Sequence, residues 1–104
     1  MDKEKLFQPF LGEAEVVLDG GVGTVRVRGL SRWEAVTVQK YGNDVGKQER
    51  FILSVGVIDP QLDESDIVKW YKNRPAGEIQ RVLSAIEDLS GMREDAVKSA
   101  IKST

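Results

Sequence analysis

Between Glu49 and Gly91 the chain reads ERFILSVGVIDPQLDESDIVKWYKNRPAGEIQRVLSAIEDLSG, three short amphipathic segments cut apart by helix-stopping and helix-starting residues. No long helix and no extended sheet can run through such a stretch. In the first segment Phe51, Ile52 and Val55 share a face, and Gly56 is expected to close it as the left-handed residue after a helix. Asp59-Pro60 is a turn, because the residue before proline is pushed out of helical geometry. Asp63 reads as an N-cap, with Glu64 and Asp66 in the first turn where they favour the helix dipole. Ile67, Val68, Trp70 and Tyr71 follow, and Pro75 forces a break. The strongest pattern comes last: Ile79, Val82, Leu83, Ile86 and Leu89 fall at helical spacing, with Glu78, Arg81, Glu87 and Asp88 expected largely on the other side. Ser90-Gly91 ends it, and Arg93 to Lys102 reads as a further short helix with a thin face of Val97, Ala100 and Ile101.

The first half has a different period. Glu13 to Leu18 and Gly23 to Arg28 read as two strands joined around Asp19-Gly20-Gly21, residues that tolerate the positive φ of a hairpin turn. Val25 and Val27 alternate with Thr24, Arg26 and Arg28, giving one apolar and one polar face. An isolated two-stranded hairpin is marginal in water, so this one must pack on helices or extend its sheet with strands of another copy. Ser31 and Glu34 fit a capping box, and Trp33, Val36, Thr37 and Tyr41 then share one helical face, with Val38 off it. Gly42-Asn43 stops this helix, and Asn43 or Asp44 caps the next. Residues 1–12 read as a mobile arm whose Leu6, Phe7, Phe10 and Leu11 are expected to tuck onto the core. The pattern as a whole predicts one α+β domain over residues 1–104: an N-terminal β-hairpin followed by a bundle of about four or five short helices.

Chemistry is scarce. The chain has no cysteine and no histidine, which removes the thiolate nucleophile, the disulfide, and the commonest neutral-pH base and metal ligand. Fifteen basic residues against 17 acidic leave a net charge of -2, a balance that argues against wholesale binding to nucleic acid or anionic membrane. No run approaches the ~18 apolar residues of a membrane span, and the charged N-terminus does not read as a signal peptide. The expectation is an intracellular, non-enzymatic protein without cofactor or metal.

Three motifs are explained by local structure. Gly20-Gly21-Val22-Gly23 lacks the Gly-Lys-Ser/Thr ending of a phosphate loop and is followed by strand residues. Asp59, Asp63, Glu64 and Asp66 miss the spacing of a calcium loop and fit a helix start. Arg26, Arg28 and Arg32 beside Trp33 form the only set resembling a nucleic-acid patch, yet they also fit a solvent-facing strand and an exposed turn.

A run so rich in capping and packing signals and so poor in reactive groups points to binding of other proteins. The segment closing in Gly56, Asp59-Pro60-x-Leu62, the acidic helix start, Pro75-Ala76-Gly77-Glu78 and the ending Leu89-Ser90-Gly91, with Val25 to Glu34 upstream, resemble the tail assembly chaperones of long-tailed (siphovirus-type) bacteriophages across residues 24–91. The resemblance implies a small subunit that binds the helical tape-measure protein and keeps it soluble in the host cytoplasm while the tail assembles, and that is absent from the finished virion. It also implies self-association, and in many such phages a longer form made by ribosomal frameshifting. A structural tail or head-tail joining component is the alternative, with a small nucleic-acid-binding regulator behind it. Trp33, Phe51, Trp70 and Tyr71, and with Trp33 the stripe of its helix, are expected mostly in the core; those of the four left exposed, together with Val97 and Ile101, are the candidate partner-binding residues, because aromatic side chains concentrate binding energy.

Overall fold

A computed structural model describes residues 1–91. After a single helical turn, α1 (Lys3–Leu6), come β1 (Glu13–Val17), a 3-10 turn (Asp19–Gly21), β2 (Thr24–Arg28), α2 (Arg32–Gln39), α3 (Val45–Gly56), β3 (Val57–Asp59), α4 (Glu64–Asn73) and α5 (Ala76–Ser90). The architecture is α+β, with the hairpin in place and four helices following it among the described residues.

The sheet has three antiparallel strands in the order β1-β2-β3. Glu13 pairs with Arg28 and Val16 with Val25 across the hairpin. Gly20 and Gly21 both take positive φ in the turn, the left-handed conformation that costs glycine little. The third strand departs from the two-stranded expectation. Val57–Asp59 follows α3 without an intervening turn and pairs with the free edge of β2, so the chain supplies a third strand of its own.

Alternation then decides the core. Val25 and Val27 point inward and are buried beside Leu53, Val57, Ile67, Val82, Leu83 and Ile86. Helix α5 lies against β1 and β2, α3 packs on α5, and α4 packs on α3. Gly56 is not a left-handed cap. It is the last residue of α3, and a Cβ there would lie 2.5 Å from Ile86 Cδ1. Its lack of a side chain therefore lets α3 and α5 touch. The left-handed cap belongs to Gly91, with φ of 69° at the end of α5.

One further expectation is corrected. Leu6, Phe7 and Phe10 do not tuck onto the core; all three are exposed, Phe10 at 98%. Only Leu11, half-buried, and Gly12, whose carbonyl accepts from Gly29 N–H at 2.9 Å, join the arm to the domain. Among the described residues no helix is long and apolar enough to cross a membrane.

Candidate functional site

Helix α2 is held to the domain from its first turn. Ser31 Oγ accepts from Glu34 N–H at 3.2 Å while Glu34 Oε1 accepts from Ser31 N–H at 3.0 Å, the reciprocal capping box expected from the sequence. The Glu34 carboxylate also receives both terminal nitrogens of Arg28 at 2.8 Å. Those hydrogen bonds are the main reason its pKa falls to about 2. Leu30 N–H donates to Ser90 Oγ at 2.7 Å, fastening the link between β2 and α2 to the end of α5.

This anchoring fixes which way α2 faces, and the result reverses the sequence expectation that its largest stripe packs inward. Ala35, 2% exposed, and the partly buried Val38 turn toward the core. Trp33, Val36 and Tyr41 turn outward, Trp33 at 83% exposure. Periodicity defines the apolar stripe but not its sign. The sign is set here by the Arg28–Glu34 pair and by the small Ala35, which allows the helix backbone to approach.

The exposed stripe leads into a groove. Tyr41, Lys47, Arg50, Phe51, Ser54, Glu64 and Ile67 enclose about 410 Å³, and the Tyr41 and Phe51 rings lie 5.8 Å apart, within the range of a favourable aromatic pair. Val45, exposed, begins α3 just past the turn in which Asp44 N–H donates to Tyr41 O at 3.1 Å. A wider depression of about 720 Å³ runs along the outside of α4 from Asp63 to Asn73, but Val68 is the one apolar residue lining it.

The predicted partner-binding residues therefore divide. Trp33 lies exposed on the outward face of α2, and half-buried Phe51 lines the groove with Tyr41. Trp70 and Tyr71 are engaged within the protein: Trp70 Nε1 donates to Glu78 Oε2 at 3.0 Å, and Tyr71 Oη donates to Glu49 Oε1 at 2.7 Å beneath the Arg50 guanidinium. The hydrogen bond to Glu49, reinforced by burial, pushes the Tyr71 pKa up. Val97 and Ile101 lie outside the described residues. Val36, Tyr41 and Val45 enter the surface although none was singled out as a contact.

Charge is distributed unevenly around it. Arg26 pairs with Glu13 and Arg28 with Glu34, so two of the three arginines of the suspected nucleic-acid patch are neutralised. Arg32, Lys40 and Lys47 are exposed and have no ion pair among the described residues.

Away from this face lies a buried polar knot that sequence reading placed in solvent. Glu78 is 0% exposed. Its carboxylate accepts from Arg74 Nε and a terminal Arg74 nitrogen at 2.8 and 2.7 Å, from Trp70, and from Asp19 N–H at 2.8 Å. Arg74 also donates to Asp19 O at 2.6 Å, and Arg81 to Asp19 Oδ1 at 2.7 Å. The hydrogen bonds from Arg74, then Trp70 and Asp19, outweigh burial and lower the Glu78 pKa to about 2. A carboxylate with all its lone pairs engaged is a clasp between the hairpin turn and the α4–α5 corner, not an acid or base. The sequence signal was present as Trp70, Arg74 and Glu78 at successive four-residue steps. Asp63 and Asp66 are likewise committed, to the capping box of α4. Among the described residues no group of three or more Asp or Glu side chains is placed to hold a metal ion. Comparison with known protein families, curated proteins and solved structures gives no match.

Proposed function

We propose that this protein is a non-catalytic phage tail assembly chaperone that binds the tape-measure protein and keeps it soluble in the host cytoplasm until the tail tube encloses it. The observation that carries the reading is the outward Trp33 stripe of α2 running into the Tyr41–Phe51 groove. A long amphipathic helix exposes apolar residues at i, i+3, i+4 and i+7, and such a helix docks in apolar grooves through this spacing. Trp33 and Tyr41 are the residue types in which interface energy concentrates. The pattern from Val25 to Gly91 that resembles the chaperone family supports the same assignment. Several copies, with or without a frameshifted long form, act along one client.

Co-expression with the tape-measure protein of the same genome tests this. The client is expected to become soluble and to copurify in a complex with several copies of this chain, and Trp33→Ala is expected to return it to the insoluble fraction. A client that stays insoluble beside abundant wild-type protein overturns the reading. Recovery of this chain in purified virions would favour a structural tail component instead.

A further inference from the structure

We propose that the segment seated on α2 is an acidic amphipathic helix, held at its margins by Arg32, Lys40 and Lys47; this deepens the assignment of α2 as the client-binding face and rests on it. The surface has an apolar centre and a cationic rim. Trp33, Val36 and Tyr41 form the stripe, with Val45 beyond the turn. Arg32 precedes Trp33 and lies one turn before Val36, Lys40 lies one turn beyond Val36, and Lys47 lines the groove beside Phe51. None of the three cations has a carboxylate partner among the described residues.

Of the nearby acids only Glu34 is in an ion pair among the described residues, while Asp44 and Glu49 keep their charge but are oriented by other hydrogen bonds. Glu34 holds Arg28, Glu49 accepts from Tyr71, and Asp44 caps α3 by accepting from Lys47 N–H. Glu64 is the one carboxylate lining the groove, where it is outnumbered by Lys47 and Arg50. Four cations, Arg32, Lys40, Lys47 and Arg50, thus stand against three carboxylates, Asp44, Glu49 and Glu64, a local positive excess in a chain of net charge -2, and the unpaired cations at its margin are complementary to carboxylates that flank an apolar stripe. From Trp33 to Lys40 the helix advances about 10 Å, two turns, which matches apolar partner residues at i, i+3 and i+7 with acids just outside them.

Other occupants fit less well. A second copy docked by the same face across a two-fold axis would set Arg32, Lys40 and Lys47 against themselves. Phosphate chains would satisfy the cations but leave Val36 and Val45 against a polar backbone, and the neutralised Arg26 and Arg28 add nothing to such a site.

The test is fluorescence anisotropy of the full chain with three labelled probes. The first is an amphipathic helical peptide of about 20 residues with leucines on one face and flanking glutamates. The second carries glutamine at each glutamate, and the third is an oligo-dT strand. At low salt the glutamate peptide is expected to bind about tenfold more tightly than the glutamine peptide, the sum of three weak exposed ion pairs, and the gap is expected to close at high salt. Combined Arg32→Glu, Lys40→Glu and Lys47→Glu substitutions should abolish the preference without moving the melting temperature, since all three side chains are exposed. Trp33→Ala should weaken both peptides. Equal binding of the two peptides overturns the acidic preference while leaving the client face in place. Preferential binding of oligo-dT, or occlusion of the face by self-association on sizing, overturns the proposal outright. Because these peptides owe nothing to phage sequence, a failed tape-measure co-expression with a preserved glutamate preference would separate the two conclusions.

Discussion

Replacing Glu78 by glutamine changes the side chain little in volume, yet it strikes the clasp between the hairpin turn and the α4–α5 corner. The carboxylate is fully buried and its folded-state pKa lies near 2, against 4.5 for the free group. A depression of that size corresponds to about 3 kcal/mol of differential stability. Because the folded pKa is the lower one, this contribution is fully present above about pH 4.5 and fades as pH falls from there toward 2. Glutamine cannot accept the Arg74 fork at both atoms, and its amide nitrogen would face a donor. Arg74 retains some access to water, which softens the loss, so Glu78→Gln is expected to cost about 2–3 kcal/mol at neutral pH. For a domain of this size that lowers the melting temperature on the order of 10 °C or more. Urea unfolding, followed by circular dichroism from neutral pH down to about pH 2, reads both effects. The variant should lose about half of this acid sensitivity, leaving the comparable share from Glu34, whose pKa is likewise held at about 2. A variant within about 0.5 kcal/mol of wild type, with an unchanged pH profile, would refute the reasoning.

Gly56→Ala should destabilise by about 1–3 kcal/mol because its Cβ would meet Ile86 Cδ1 at 2.5 Å; adding Ile86→Val, which deletes that atom, should recover part of the loss in a double-mutant cycle by chemical denaturation. Trp33→Ala should leave stability within about 0.5 kcal/mol of wild type while weakening client binding, a separation expected of an exposed contact and not of a core residue. Removing residues 1–10 should leave the melting temperature within about 2 °C, since Leu6, Phe7 and Phe10 are exposed and none belongs to the core or packs against it; a large drop would mean that the arm packs in solution.

The legible features were local. Ser31 with Glu34, Asp44, and Asp63 with Asp66 announce helix starts because a cap and its target lie two or three residues apart. The stripe of α5 was equally clear, since four of its five predicted residues are buried and Leu89 packs against them. What escaped depends on contacts far apart in sequence. Glu78 was placed in solvent because nothing near it announces Asp19, 59 positions away. Gly56 has the sequence appearance of a cap, and only the approach of Ile86 reveals its use. Val57–Asp59 is too short to declare itself a strand without the open edge of β2. The orientation of α2 was hidden for a related reason: its larger stripe was assigned inward, while Ala35 and Val38 are the residues that pack. The candidate site lies on that outward face, where the sequence singles out Trp33 but not the equally outward Val36, Tyr41 and Val45.

The most direct test of the account is hydrogen–deuterium exchange on the soluble complex with the tape-measure protein, compared with the free chain. The account predicts new protection centred on residues 32–41 and on the groove-lining turn of α3 around Phe51, with the outer side of α4 unchanged. Protection confined to α4, or to residues 1–12, with α2 exchanging as in the free protein, would contradict it.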